Sequence, residues 1–204
     1  MKRWIQAISV ILIVFAVLAL ASCGKAPTVH ADITYDKNGV YAGFSDIPED
    51  YDAKKATRDG CLVVDILREP NVHGVLVSKE TETFGYERWE EFLTAAEKDE
   101  DAFLRVAQFI DGTGYYHDLY YCDGTYTIFD LNEHGISDGE TFRYLRRLEG
   151  TTGPISDPKD DYLYVLTDSK RLTHHDVMWS YLSSDSRTVT KIPFVWLGFM
   201  GYFK

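Results

Sequence analysis

Hydrophobic and polar positions follow three regimes along this 204-residue chain. The first is a run over residues 4–21 that is apolar apart from Gln6 and Ser9, with Lys2 and Arg3 in front of it. A positive start followed by such a run is the layout of an export signal. Its length lies at the border of the roughly 20 apolar residues that a helix needs to cross a bilayer. The other two regimes, alternation by twos and spacing by threes and fours, begin near Ile33 and continue to the end.

In "ITYDKNGVYAGFSD" two short alternating runs flank Asn38-Gly39, which predicts a hairpin. "EDYDAKKATRDG" predicts a short helix that stops at Asp59-Gly60. "CLVVDIL" is a buried-type strand ended by Pro70, and "HGVLVSKE" is a second strand. "YERWEEFLTAAEKDED" places Tyr86, Trp89, Phe92, Leu93 and Ala96 at helical spacing, with the glutamates falling largely elsewhere, and so predicts an amphipathic helix laid on a sheet. "AFLRVAQFI", "YYHDLYYC", "TYTIFDL", "TFRYLRRLEG" and "DYLYVLTD" then read as strands rich in aromatic and β-branched residues. Asp111-Gly112, Asp123-Gly124 and Asp138-Gly139 punctuate them, and Asp123-Gly124 is the clearest two-residue hairpin turn. "LTHHDVMWSYLSS" returns to helix, with Thr173 as N-cap and Asp176 in a capping-box position. "TVTKIPFVWLGF" closes as a buried last strand with an aromatic extension. The whole predicts an α+β fold, an antiparallel β-meander sheet with two or three packed helices. Some 170 residues suit a single domain over 33–204, and no Pro/Gly/Ser-rich linker interrupts them.

Charge changes the picture by exclusion. The chain carries −11 at neutral pH, and loss of residues 1–22 with Lys2 and Arg3 takes this to −13. An acidic domain is repelled by phosphate backbones, so nucleic acid is excluded as a partner.

Three clusters bear on chemistry. In "DLNEHGISDGET", Asp130, Asn132, His134 and Gly135 occupy positions one, three, five and six of a calcium loop, but Thr141 stands where the bidentate glutamate belongs. The stretch reads as a polar hairpin loop, and no metal is expected. His174-His175-Asp176 reads as helix capping and packing, because adjacent helical positions point about 100° apart and do not chelate one ion. Arg143, Arg146 and Arg147 form the densest basic spot. On a continuous strand Arg143 and Arg147 share a face, either as an anion-binding site or in cross-strand pairs with acidic residues. Sequence motifs of the common hydrolases, nucleotide-binding loops and zinc helices do not occur, and no cofactor is implied.

The end of the opening run is the most specific motif. Leu20-Ala21-Ser22-Cys23 resembles the lipobox of bacterial lipoprotein precursors: a branched apolar residue, two small ones and a cysteine. The resemblance implies a signal peptide over 1–22, diacylglyceryl attachment and acylation at Cys23, and a tether over 23–32 that leads to the domain. More than one acyl chain meets the requirement for stable anchoring. The implied location is the extracytoplasmic face of a bacterial membrane, with the bilayer itself as a partner through Cys23. In its order of elements over 51–186 the mature chain also resembles uncharacterised lipoproteins of Firmicutes, which implies a Gram-positive cell membrane and brings no activity with it. With Cys23 assigned to lipid, Cys61 and Cys122 remain as a pair that reads either as a disulfide of an exported domain or as two buried thiols. The leading functional expectation is a non-enzymatic binding or interaction module for a protein or small-molecule ligand. The alternative is a cell-envelope hydrolase whose catalytic residues are scattered along the chain.

Overall fold

A computed structural model describes residues 33–154, 156–185 and 189–203. Cys23 and the tether 23–32 lie outside the described residues. From Ile33 onward the chain gathers into one α+β unit, as the hydrophobic pattern predicts.

The elements in order are α1 (Ala53–Arg58), β1 (Leu62–Pro70), β2 (Leu76–Phe84), α2 (Tyr86–Glu97), β3 (Ala102–Ile110), β4 (Thr113–Cys122), β5 (Thr125–Asn132), β6 (Gly135–Ile136), β7 (Glu140–Phe142), β8 (Tyr144–Thr152), β9 (Lys159–Thr167), α3 (His174–Leu182) and β10 (Phe194–Trp196). They form two sheets. The larger has the order β2-β1-β3-β4-β5-β6, with β7 also on β5, and the smaller the order β10-β9-β8. β3, β4 and β5 are the expected antiparallel meander. Asp123 and Gly124 turn it at φ of 49° and 73°, the pair of positive angles that a two-residue hairpin turn demands.

Two departures from a plain meander position the site. β1 and β3 pair in parallel, because β2 has already taken the other edge of β1 and the twelve-residue α2 provides the crossover that parallel neighbours need. The stretch read as a single strand, "TFRYLRRLEG", breaks at Arg143. Residues 140–142 finish the first sheet on β5, and β8 starts the second at Tyr144. The bend is held by the Arg143 backbone N–H, which donates to Asp168 Oδ1 at 2.9 Å.

Strand alternation then sorts the apolar residues into separate cores. One face of the large sheet sends Leu62, Leu104, Val106, Leu119, Tyr121 and Ile128 toward α2, the small sheet and the C-terminal segment, around a fully buried Trp89. The opposite face sends Val63, Ala107, Phe109, Tyr116, Tyr120 and Phe129 against Tyr41, Phe44 and Ala56 of the N-terminal segment. The outer side of the small sheet packs Leu148, Leu163 and Val165 against Leu172 and Val177 at α3. Thr173 caps α3 in a complete capping box with Asp176, as its spacing predicts.

The N-terminal segment is held by charge as well as apolar contact. Arg105 donates through Nε and Nη2 to both oxygens of Asp118, each at 2.7 Å, through Nη1 to Asp46 at 3.0 Å, and to the Gly43 carbonyl. The Tyr41 hydroxyl donates to Asp118 at 2.6 Å and lies 2.5 Å from the Tyr120 hydroxyl. Burial and these acceptors hold the Tyr41 phenol far above its ordinary range.

The C-terminal segment corrects an expectation. The last strand is only three residues long, and 198–203 coil into a 3-10 helix instead of extending it. After β10 the Leu197 N–H donates to Tyr164 O at 2.9 Å, and Leu197, Phe199 and Met200 turn into the first core.

Candidate functional site

The register of the meander builds a cleft. Val106 of β3 sits opposite His117 of β4, which sits opposite Asp130 of β5. His117, Asp130 and Gln108 have the strand parity of the first core, so each is a polar residue on an apolar face, near the same end of three adjacent strands. There the C-terminal segment faces them across a cleft of about 360 Å³, lined by Gln108, His117, Asp130 and Ile128 on one side and by Trp196, Phe199 and other residues of 195–202 on the other. That volume lies within the range of small-molecule sites.

The polar groups in the cleft are pre-arranged. His117 Nδ1 and Asp130 Oδ1 are 2.6 Å apart. Asp130 is itself fixed through its backbone, since its N–H donates to Ser137 Oγ at 2.8 Å and its carbonyl accepts from the Ser137 N–H at 2.8 Å. The His117 ring tilts against Phe199 with centroids 5.1 Å apart. With Nδ1 engaged by Asp130, Nε2 is the ring nitrogen left to a ligand. The arrangement therefore offers hydrogen-bonding groups on one wall and aromatic surface on the other. Among the lining residues there is no serine, threonine or cysteine.

A second His–carboxylate pair lies beneath a groove of about 460 Å³ between β8 and α3. His174 Nε2 is 3.3 Å from Asp161 Oδ2, and the ring is only 5% exposed. It lies directly against Gly150, where a Cβ would come within 2.4 Å of it. His174 is thus a packing residue at the first turn of α3, and His175 stacks on Trp179 at 5.5 Å, which agrees with capping and packing.

The other residues singled out from the sequence do not converge. Arg143 sits in the bend before β8, so the continuous strand that placed it on one face with Arg147 does not exist. Arg147 pairs with Glu149 at 2.6 Å and covers the Tyr162 ring at 4.2 Å, and Arg146 donates to the carbonyls of Ser169 and Leu172. Arg143 and Arg147 are thus not aligned on one strand face, and Arg147 is engaged by Glu149 and Tyr162. The disulfide reading of Cys61 and Cys122 is likewise corrected: no bridge joins them. Cys61 precedes Leu62, which the ladder places level with Val106 and His117, so Cys61 falls at the level of Asp118. Cys122 lies four positions further along β4, about 13 Å at strand rise, well beyond disulfide reach. Cys61 is buried beside the Tyr51 hydroxyl at 3.6 Å, and its burial pushes the thiol above its ordinary range, the opposite of an activated nucleophile. Asp130 and Asn132 of the calcium-like stretch end β5, and His134 occupies the tight turn into β6. Among the described residues no group of three or more His, Cys, Asp or Glu is placed to hold a metal ion.

Gln108 and His117 escaped the sequence reading, and Asp130 entered it only as a calcium-loop position. The signal was present in the alternation itself. "LRVAQ", "HDLYY" and "TIFD" each place one polar residue at the parity of the first core, and only pairing the strands shows that the three meet. No protein-family model matches this chain, and neither a curated protein nor a solved structure is similar to it.

Proposed function

We propose that this chain is a membrane-tethered extracytoplasmic lipoprotein, anchored through acylated Cys23, whose domain binds a small molecule in the His117–Asp130 cleft. The observation that carries the binding reading is the convergence of Gln108, His117 and Asp130 from three strands onto one cleft faced by Trp196 and Phe199. A cavity with a few fixed polar groups and apolar walls favours a ring-bearing ligand with at least one hydrogen-bonding substituent. The anchor rests on the lipobox and on the apolar run before it. Among the described residues no helix is long and apolar enough to cross a membrane.

A hydrolase is the second reading, favoured by the 2.6 Å His117–Asp130 pair, in which His117 Nε2 acts as general base on a water molecule. Binding is preferred because the lining supplies no serine, threonine or cysteine for an acyl-enzyme route, and fixed polar groups facing aromatic walls serve recognition without any reaction. The test is protein-observed NMR of the folded chain against small ring-bearing probes such as indole and phenol. Shifts gathered on Gln108, His117, Asp130 and Phe199, and lost in His117→Phe, support the reading. Shifts gathered elsewhere, or unchanged in His117→Phe, oppose it.

A further inference from the structure

The hairpin of β1 and β2 overhangs the sheet. β1 pairs with β3 only over 62–66, whereas its pairing with β2 runs on to Pro70 opposite Leu76. The last four residues of β1 therefore belong to a two-stranded ribbon that projects about 13 Å past the end of the ladder with β3, plus its turn. A two-stranded ribbon alone in water is marginal, and every residue from 67 to 82 is exposed.

The tip of this arm is apolar, and its turn is closed by hydrogen bonds of its own. Val72 is 95% exposed, Val75 58%, Leu76 52% and Val77 40%. Asn71 closes the turn: its Oδ1 accepts from the His73 and Val75 N–H groups at 2.9 and 3.0 Å, its own N–H donates to Val75 O at 2.8 Å, and its carbonyl accepts from Gly74 at 2.9 Å. Between Pro70 and Ser78 the only titratable side chain is His73. Behind the tip stand charges of both signs, with Glu80 and Glu82 also exposed further back on β2. Arg68 binds Asp111 at 2.8 Å, and Lys79 lies 3.5 Å from Glu69.

We infer that this arm dips into the surface of the lipid bilayer to which the chain is tethered, with Val72, Val75 and Leu76 as its inserted residues. The inference rests on the tethering reading above. Its support on the arm is independent of that reading: a convex aliphatic tip with four of its turn N–H groups already partnered, those of Asn71, His73, Gly74 and Val75, loses less on leaving water than an open turn would. The Arg68–Asp111 and Lys79–Glu69 pairs stand where headgroups would begin. A protein partner would have to supply a matching concavity, whereas a fluid interface adapts to a convex tip. The chain outside the described residues brings the bilayer within range. Cys23 lies ten residues before Ile33, which spans at most about 35 Å, and the apolar run ends just before it. The tip over 70–78, which has no Asp, Glu, Lys or Arg, is an exception to the domain's acidity, which otherwise holds it off an anionic surface.

The experiment uses the full chain, isolated with its N-terminal modification, in vesicles of phosphatidylcholine and phosphatidylglycerol. An environment-sensitive fluorophore is placed at Val72→Cys, or for comparison at Glu90→Cys on the exposed side of α2, in a Cys122→Ser background. Brominated lipids are expected to quench the probe at 72 several-fold more than the probe at 90, and Val75→Asp with Leu76→Asp is expected to abolish that difference while circular dichroism is unchanged. Equal quenching at the two positions overturns the inference. So does protection of the probe at 72 that depends on protein concentration and not on lipid, which would assign the arm to a second copy. The mass of the N-terminal peptide reports separately whether Cys23 is acylated, so a failed anchor and a failed arm give different results.

Discussion

Arg105 and Asp118 stand opposite one another in the β3–β4 ladder and close two parallel 2.7 Å hydrogen bonds at a carboxylate with no solvent exposure. The pair fixes the N-terminal segment to the outer face of the sheet, and it makes the two partners unequal. Arg105→Met leaves Asp118 buried with the Tyr41 hydroxyl as its remaining donor, a loss of about 3 to 5 kcal/mol. Asp118→Asn leaves Arg105 its contact with Asp46 at 3.0 Å, and the expected loss is about 1 to 3 kcal/mol. Urea unfolding of the two variants measures the difference, and equal losses would contradict the assignment.

Alkaline pH should unfold the domain through its tyrosines. Burial raises the phenols of Tyr41, Tyr51, Tyr116, Tyr120 and Tyr126, and the hydrogen bond to Asp99 pushes Tyr121 up to about 12. A group with a folded pKa above its unfolded value near 10 contributes stability that is fully present below pH 10 and is lost as pH rises toward 12. Phenolate absorbance should therefore rise late and together with loss of the folded circular dichroism signal. Independent ionisation of these tyrosines near pH 10 in the folded protein would contradict this.

Gly150 is a tighter constraint than its place on an edge strand suggests. A Cβ there meets the His174 ring at 2.4 Å, so Gly150→Ala should cost about 1 to 3 kcal/mol through overpacking. Adding His174→Ala removes the ring and leaves only a 2.8 Å approach to the Cβ at 174. The double variant is expected to lose less than the sum of the two single losses in thermal unfolding.

The C-terminal segment is part of the core and not an appendage. Ending the chain before residue 198 removes Phe199 and Met200 from the first core, roughly 1.5 to 3 kcal/mol for each buried side chain. The truncated chain is expected to be unfolded or close to it by circular dichroism. A truncated chain with native stability would show that the segment only rests on the surface.

The α+β fold was legible because long alternating runs, two Asp-Gly turns and a capping box are local signals, each specified within a few residues. The parallel pairing of β1 with β3 was not, since it depends on which edge of β1 is already occupied. Arg143 illustrates the same limit. "TFRYLRRLEG" reads as one strand, yet the chain changes sheets at Arg143, held there by Asp168, twenty-five residues later. The cleft was half-legible. Gln108, His117 and Asp130 each break an apolar face, a signal within each strand, but their meeting is set by register and by the return of a C-terminal segment that reads as strand and coils as 3-10 helix.

The most direct test of the account is native mass spectrometry of the protein extracted from the membranes in which it is made, compared with its Gln108→Ala, His117→Phe double variant. The account predicts a mature chain that begins at an acylated Cys23 and retains a small molecule, with the acyl mass kept and the bound mass lost in the variant. An unmodified Cys23, or a bound mass that survives the double substitution, would contradict it.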